Sequence, residues 1–218
     1  MTRRLKLDIP GPDLRVSFDD VKAKGWPALF AGDVETPAGA PLRLVLEIGF
    51  GRGEFGIELA RAAPDVAHVG VELSFRRVHK QARRLAKGGP RNLRLVHGRG
   101  EMALAELFAP GSLDAVWINF PDPWPKKRHH RRRLVQAPLV AAVAERLARG
   151  GVLHVATDDA PYAEHIDAVL AAEPLLENAY APARWLAEVP GRMPTAYERE
   201  WRALGRGLHF WAYRRRHA

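Results

Sequence analysis

Between residues 42 and 172 the chain switches repeatedly from a short apolar run to a helical stripe, with a glycine or capping residue at the changes. Residues 42–48 are an apolar run, glycines over 49–53 turn the chain, and 54–62 sets Phe55, Leu59 and Ala62 on one helical face. Residues 66–73 read as a second strand. Ser74 then stands where an N-cap belongs, and Val78, Ala82 and Leu85 give a stripe that Gly88-Gly89-Pro90 stops. A strand over 93–97, a helix over 102–108 and a strand over 113–119 follow. A helix over 134–147, with Leu139, Val143 and Leu147 four apart, ends at Gly150-Gly151. A strand over 152–157 and a helix over 161–172 close the series. Strands separated by helices predict an α/β fold, a mostly parallel sheet with helices on both faces. Residues 208–213 are strand-like again. Residues 1–41 carry many Pro and Gly and read as an irregular lead-in with a short helix around 18–26, so one domain is expected over 42–218.

Composition narrows the function. The net charge is +9, and removing the six Lys and Arg of residues 126–133 leaves +3, so basicity is concentrated in one block. Cysteine is absent, which excludes disulfides, thiolate zinc sites and a cysteine nucleophile. The start, Met1-Thr2-Arg3-Arg4-Leu5-Lys6-Leu7-Asp8, has cations but no apolar segment of the signal-peptide kind. No apolar run approaches bilayer length. A cytoplasmic protein without membrane or metal, its oligomeric state open, is the expectation. His129 and His130 lack a second ligand cluster and read as phosphate or solvent contacts.

Two motifs carry chemistry. In Glu47-Ile48-Gly49-Phe50-Gly51-Arg52-Gly53, glycines at a strand-to-helix turn let the backbone bend and a ligand approach the main chain. Glu72 closes the second strand 19 residues after Gly53, where a carboxylate commonly accepts from ribose hydroxyls. Gly51, Gly53 and Gly56 also match a dinucleotide fingerprint, but Glu47 would repel a pyrophosphate and suits a cationic ligand such as S-adenosylmethionine. In the second motif, Asp122 sits among Pro121, Pro123 and Pro125, which restrict the backbone. Lys126, Lys127, Arg128, His129, His130, Arg131, Arg132 and Arg133 follow at once, a block suited to holding a polyanion by its phosphates. Trp124 is expected to pack the Pro-rich turn. Thr195-x-x-Glu198 is a good capping box.

With these residues in hand, the chain resembles the bacterial tRNA (guanine-N7-)-methyltransferase family from about residue 44 to 210. The most specific part is Phe120-Pro121-Asp122-Pro123-Trp124-Pro125-Lys126-Lys127-Arg128-His129; Gly70-Val71-Glu72, Thr157-Asp158, Tyr162-Ala163 and Thr195-Ala196-Tyr197-Glu198 resemble other family motifs. The resemblance implies a class I, Rossmann-like methyltransferase sheet of seven strands with an antiparallel last strand. It implies that Glu47, Gly49, Gly51, Gly53 and Glu72 bind S-adenosylmethionine and that Asp122 lies at the catalytic centre, beside the cofactor. Lys126, Asp158, Thr195, Ala196, Tyr197 and Glu198 would contact substrate, and Arg128, His129, His130, Arg131, Arg132 and Arg133 would meet tRNA. Arg99 stands where the family usually has an acid or amide near the adenine; arginine only donates, so Glu101 or backbone carbonyls would accept instead. The first 40 residues do not resemble the family's N-terminal segment. The implied reaction is methyl transfer to N7 of a guanine, position 46 in the variable loop. Rivals are an N-methyltransferase acting on an exocyclic amine, faintly suggested by Asp122-Pro123-Trp124, and a non-catalytic RNA-binding relative; a nicotinamide enzyme ranks last.

Overall fold

The computed structural model describes residues 8–217, so the cationic start at 1–7 lies outside the described residues. The chain divides into two compact units at residues 107 and 108.

The first unit holds β1 (Arg15–Val16), α1 (Phe18–Phe30), β2 (Leu44–Ile48), α2 (Glu54–Ala62), β3 (Ala67–Glu72), α3 (Phe75–Leu85), β4 (Leu93–His97) and α4 (Gly100–Leu107). Its strands run β1-β4-β3-β2, all parallel. Every residue of β3 is buried, as befits a strand with neighbours on both sides and cover on both faces. Phe50, Ile57, Val78, Leu85 and Leu95 form one core cluster. Ile48 pairs with Val71 and Glu72 with His97, so the carboxyl ends of β2, β3 and β4 finish level. In the lead-in, α1 starts on a Ser17–Asp20 capping box and breaks at Gly25 (φ 73°), just before Pro27. Arg94, buried in β4, bonds Asp33 at 2.6 Å and lies over the Phe30 ring, fixing the end of α1.

The second unit holds β5 (Leu113–Asn119), a 3-10 turn (Lys127–Arg132), α5 (Ala137–Arg146), β6 (Leu147–Thr157), α6 (Ala160–Ala171), β7 (Leu176–Asn178), α7 (Ala196–Ala203) and β8 (His209–Arg215). The strand order is β5-β6-β8-β7; β5 and β6 are parallel, and β8 runs antiparallel to β6 and β7. The fold is therefore α/β with a mostly parallel sheet and an antiparallel last strand. Seven strands are joined by the two-residue β1.

One boundary differs from expectation. The helix over 134–147 is shorter, Ala137–Arg146, and β6 starts at Leu147 rather than 152. Leu147 pairs with Leu113 and Val152 with Ala115, so five steps along β6 match two along β5. The Gly150-Gly151 pair serves this bulge rather than a helix stop: Gly150 has φ 79°, and a Cβ on Gly151 would lie 2.9 Å from the Ala148 and Leu113 carbonyl oxygens. No helix among the described residues is long and apolar enough to cross a membrane.

Candidate active site

In the first unit, the candidate residues gather at the carboxyl ends of β2, β3 and β4, where doubly wound sheets bind ligands. Gly49, Gly51 and Gly53 have φ of 77°, 55° and 77°, which L side chains rarely adopt. Gly53 also needs the space: a Cβ there would lie 2.3 Å from the Gln81 side chain, whose Nε2 donates to the Gly53 carbonyl at 2.6 Å. Glu47, 6% exposed, ends its side chain over the first turn of α2, where Gly56 makes room; a Cβ on Gly56 would lie 2.8 Å from Oε2.

Glu72, 5% exposed, accepts from the Gly51 amide at 3.0 Å and the Ser74 amide at 2.8 Å, with Arg77 3.7 Å away. Ser74 occupies the N-cap position of α3, but its side chain makes no capping bond. A carboxylate has about four lone-pair sites, so the two backbone bonds leave acceptor capacity for a pair of hydroxyls. Around Gly49 a Cβ would meet nothing within 4 Å, so the turn offers open backbone. These features fit S-adenosylmethionine. Arg99 is exposed just before α4, its carbonyl accepting from the Ala103 amide at 3.0 Å.

In the second unit, the chain leaves β5 at Asn119 into the proline-rich loop. The Phe120 amide donates to the Ala156 carbonyl at 2.9 Å. Phe120 and Trp124 have φ of 50° and 45°, so both residues bracketing Pro121-Asp122-Pro123 are strained, at a typical cost of about 1–3 kcal/mol each. Asp122 is exposed between them. The Phe120 ring lies 5.0 Å from the Tyr197 ring, and the Tyr197 hydroxyl donates to Asp158 Oδ2 at 3.3 Å. Arg206 pairs with the same oxygen at 3.2 Å. The acid's loop, Asp158 and the 195–198 segment thus form one cluster.

Thr195 caps α7, its Oγ1 accepting from the Glu198 amide at 2.9 Å, so the capping half of the expected box is present. The Glu198 carboxylate turns elsewhere. It is 3% exposed and pairs through Oε2 with Arg192 Nη1 and through Oε1 with Arg202 at 3.2 Å. Arg192 Nη2 donates to Asn119 Oδ1 at 2.7 Å, tying this segment to the root of the acid's loop. Burial holds Arg192 below its ordinary pKa although Glu198 acts to raise it. A cavity of about 240 Å³ lies against Asn119, Arg192, Trp117, His154 and Phe210. The His154 ring stacks on Trp117 at 3.8 Å, and burial, with Arg192 beside it, pushes His154 down to about 4.

Of the basic block, Lys126, Lys127, Arg128, Arg131 and Arg132 are exposed and His129 and His130 half-buried. Trp124 packs the turn, edge-on to His129 at 5.7 Å with Arg132 5.0 Å above its ring. Arg133 alone in the block points inward: it is 4% exposed, and its Nε donates to the Pro123 carbonyl at 2.8 Å.

A family model described as "Putative methyltransferase" matches residues 42–211. A tRNA (guanine-N(7)-)-methyltransferase of Alkalilimnicola ehrlichii is 42% identical over 88% of this chain and 84% of its own length. Its counterpart in Burkholderia mallei is 38% identical over 99% of this chain and 78% of its own length. The chain belongs to this methyltransferase family. Among solved structures, the antibiotic-resistance methyltransferase Kmr aligns with a TM-score of 0.57 at 22% identity, covering 93% of this chain and 94% of that one. An antibiotic-related methyltransferase gives 0.58 at 17%, covering 91% and 94%. At those identities the likeness is one of fold.

Several residues that shape this family member's sites escaped the sequence reading. Arg192 lies in a Gly- and Pro-containing loop that carries no periodicity. Arg206 is flanked by glycines and carries none either. Gln81 carried a usable signal: it stands three residues after Val78, on the same face of α3.

Proposed function

We propose that the protein transfers a methyl group from S-adenosylmethionine to N7 of guanine 46 in the variable loop of tRNA. The observation that supports this most is an exposed acid, Asp122, on a loop pinned at Phe120 and Pro123 and continuous with a solvent-facing run of cations. The relatives' names supply the substrate.

When bound, S-adenosylmethionine supplies an electrophilic methyl group on a sulfonium. Glu72 would accept from the ribose hydroxyls, the backbone at Gly49, Gly51 and Gly53 would let the cofactor lie close, and Glu47 would favour its cationic end. Arg99 would lie near the adenine, with Glu101 or backbone carbonyls accepting there. Guanine N7 carries a free lone pair and needs no deprotonation, so the protein's work is alignment and charge stabilisation. Positive charge develops on the purine as the methyl arrives, and Asp122 stabilises it. Asp158, its Oδ2 held by Tyr197 and Arg206, accepts from the base through Oδ1. The 195–198 segment meets the base through Tyr197, with Glu198 securing it from behind. Lys126, Arg128 and the cations up to Arg132 hold phosphates without reading sequence.

The test is to incubate the protein with unmodified tRNA and labelled cofactor and map the product. N7-methylguanosine at position 46, cleavable after reduction and aniline treatment, is the expected result. Label on an exocyclic amine would replace this reading with the rival chemistry. Absence of cofactor affinity in a titration would leave an RNA-binding protein.

A further inference from the structure

The basic block looks uniform in sequence, yet one of its members faces the other way. Arg133 follows the 3-10 turn with extended backbone (φ −57°, ψ 135°), which carries its side chain under the proline-rich loop instead of out to solvent. The guanidinium makes two directed contacts. Nε donates to the Pro123 carbonyl, the residue after Asp122, and the plane lies over the Tyr162 ring, 4.7 Å from Cζ to centroid. Tyr162 is itself enclosed and bonded: it is fully buried in the first turn of α6, and its hydroxyl accepts from the Val135 amide at 3.0 Å. Tyr162 titrates high, pushed up to about 12 by burial, with the charge of Asp122 adding to the rise, so the acid lies within electrostatic reach of this stack. At the loop's other end, Phe120 is bonded to Ala156 and Asn119 to Arg192. The strained Trp124, one residue beyond the Pro123 carbonyl, needs a tether of this kind to hold its backbone at φ 45°.

We propose that Arg133 is a positioning residue rather than an RNA contact: by clamping the Pro123 carbonyl against the Tyr162 stack it fixes where Asp122 stands. The role assigned to Asp122 rests on the function proposed above; the clamp does not. A planar fork on an aromatic face is something lysine cannot reproduce, so charge alone does not satisfy the site. The block therefore divides in two, cations up to Arg132 for phosphates and Arg133 for the active-site loop.

The experiment compares Arg133→Lys and Arg133→Gln with Arg131→Gln, using the full chain. Three quantities are read: tRNA affinity across a salt series, kcat at saturating tRNA, and hydrogen exchange at the Asp122 and Trp124 amides without substrate. For Arg133→Lys the expected result is faster exchange at both amides, a kcat loss on the order of a hundredfold, and an unchanged salt slope. Arg131→Gln is expected to lower the salt slope by about 1. Arg133→Gln should match the lysine variant in all three; if it fails to fold, the lysine variant decides alone. A salt slope lowered in Arg133→Lys or Arg133→Gln with kcat and exchange unchanged would overturn the proposal, as would full kcat in the lysine variant. Faster exchange in a protein whose wild type methylates no guanine N7 would keep the clamp and reject the function instead.

Discussion

Asp122 has a position that a carboxylate used only for solubility would not need, since the backbone on either side of it is strained and bonded. Asp122→Asn keeps the shape and removes the charge. It is expected to fold, to bind S-adenosylmethionine as the wild type does, and to lose most of its turnover. Near-normal methylation by that variant would take the acid out of the mechanism. Gly53→Ala tests the other unit. At φ 77° and 2.3 Å from Gln81, an added methyl group is both strained and crowded, so a loss of at least about 2 kcal/mol in urea unfolding is expected. A loss below about 0.5 kcal/mol would show that the turn relaxes freely. Glycines and acids of this kind were legible because their motif is local. Gln81 bonds a carbonyl 28 residues away and Arg192 the side-chain oxygen of Asn119, 73 residues away; helical spacing marks the face that Gln81 occupies but neither of these partners.

Helix α7 is held by an ion pair that is buried on both sides, with Arg192 7% and Glu198 4% exposed at the side chain. Removing one partner of such a pair leaves a buried charge uncompensated, which typically costs about 3–5 kcal/mol. Glu198→Leu is expected to fall in that range in denaturant unfolding. Combining it with Arg192→Met should recover most of the stability but not the activity, because Asn119 then loses its tie to the 195–198 segment. A double variant no more stable than Glu198→Leu alone would mean that the carboxylate acts mainly through Arg202. Helix and strand positions were read well where apolar runs are long. The failure at 147–152 has a physical cause: a glycine pair that stops a helix in one context accommodates a strand bulge in another. The short strands β1 and β7 carry no run to detect, and β1 exists through its pairing with Leu95 and Val96, remote in sequence.

The molecule as a whole has a one-sided dependence on acid. His68 and His154 are both lowered from 6.5 to about 4, chiefly by burial. Between those values the unfolded chain takes up a proton that the folded one refuses, so stability falls as pH drops through that window and is fully present above it. Each histidine contributes up to about 3 kcal/mol to that fall. Asp13 and Asp33 add to it at lower pH. Their carboxyls lie below the usual range, Asp13 through its bond to Arg15 and Asp33 because Arg94 and Arg91 outweigh its burial. His154→Phe, which retains a ring against Trp117, is expected to flatten the profile of unfolding free energy between pH 6.5 and 4 while leaving it unchanged above 7. An unaltered slope would show that His154 takes up its proton in the fold as readily as in the unfolded chain. The sequence announced the net charge of +9 and its concentration. It did not reveal which imidazoles are enclosed, since that depends on cross-strand neighbours such as Trp117.

Glu72 has a consequence for the rhythm of turnover. Its bonds to Gly51 and Ser74 come from the main chain, so in the role proposed for Glu72 that corner would keep its form between one cofactor and the next. Exchange should then proceed in a single kinetic phase in stopped-flow mixing, and the slow stage of each cycle should be sought with the RNA.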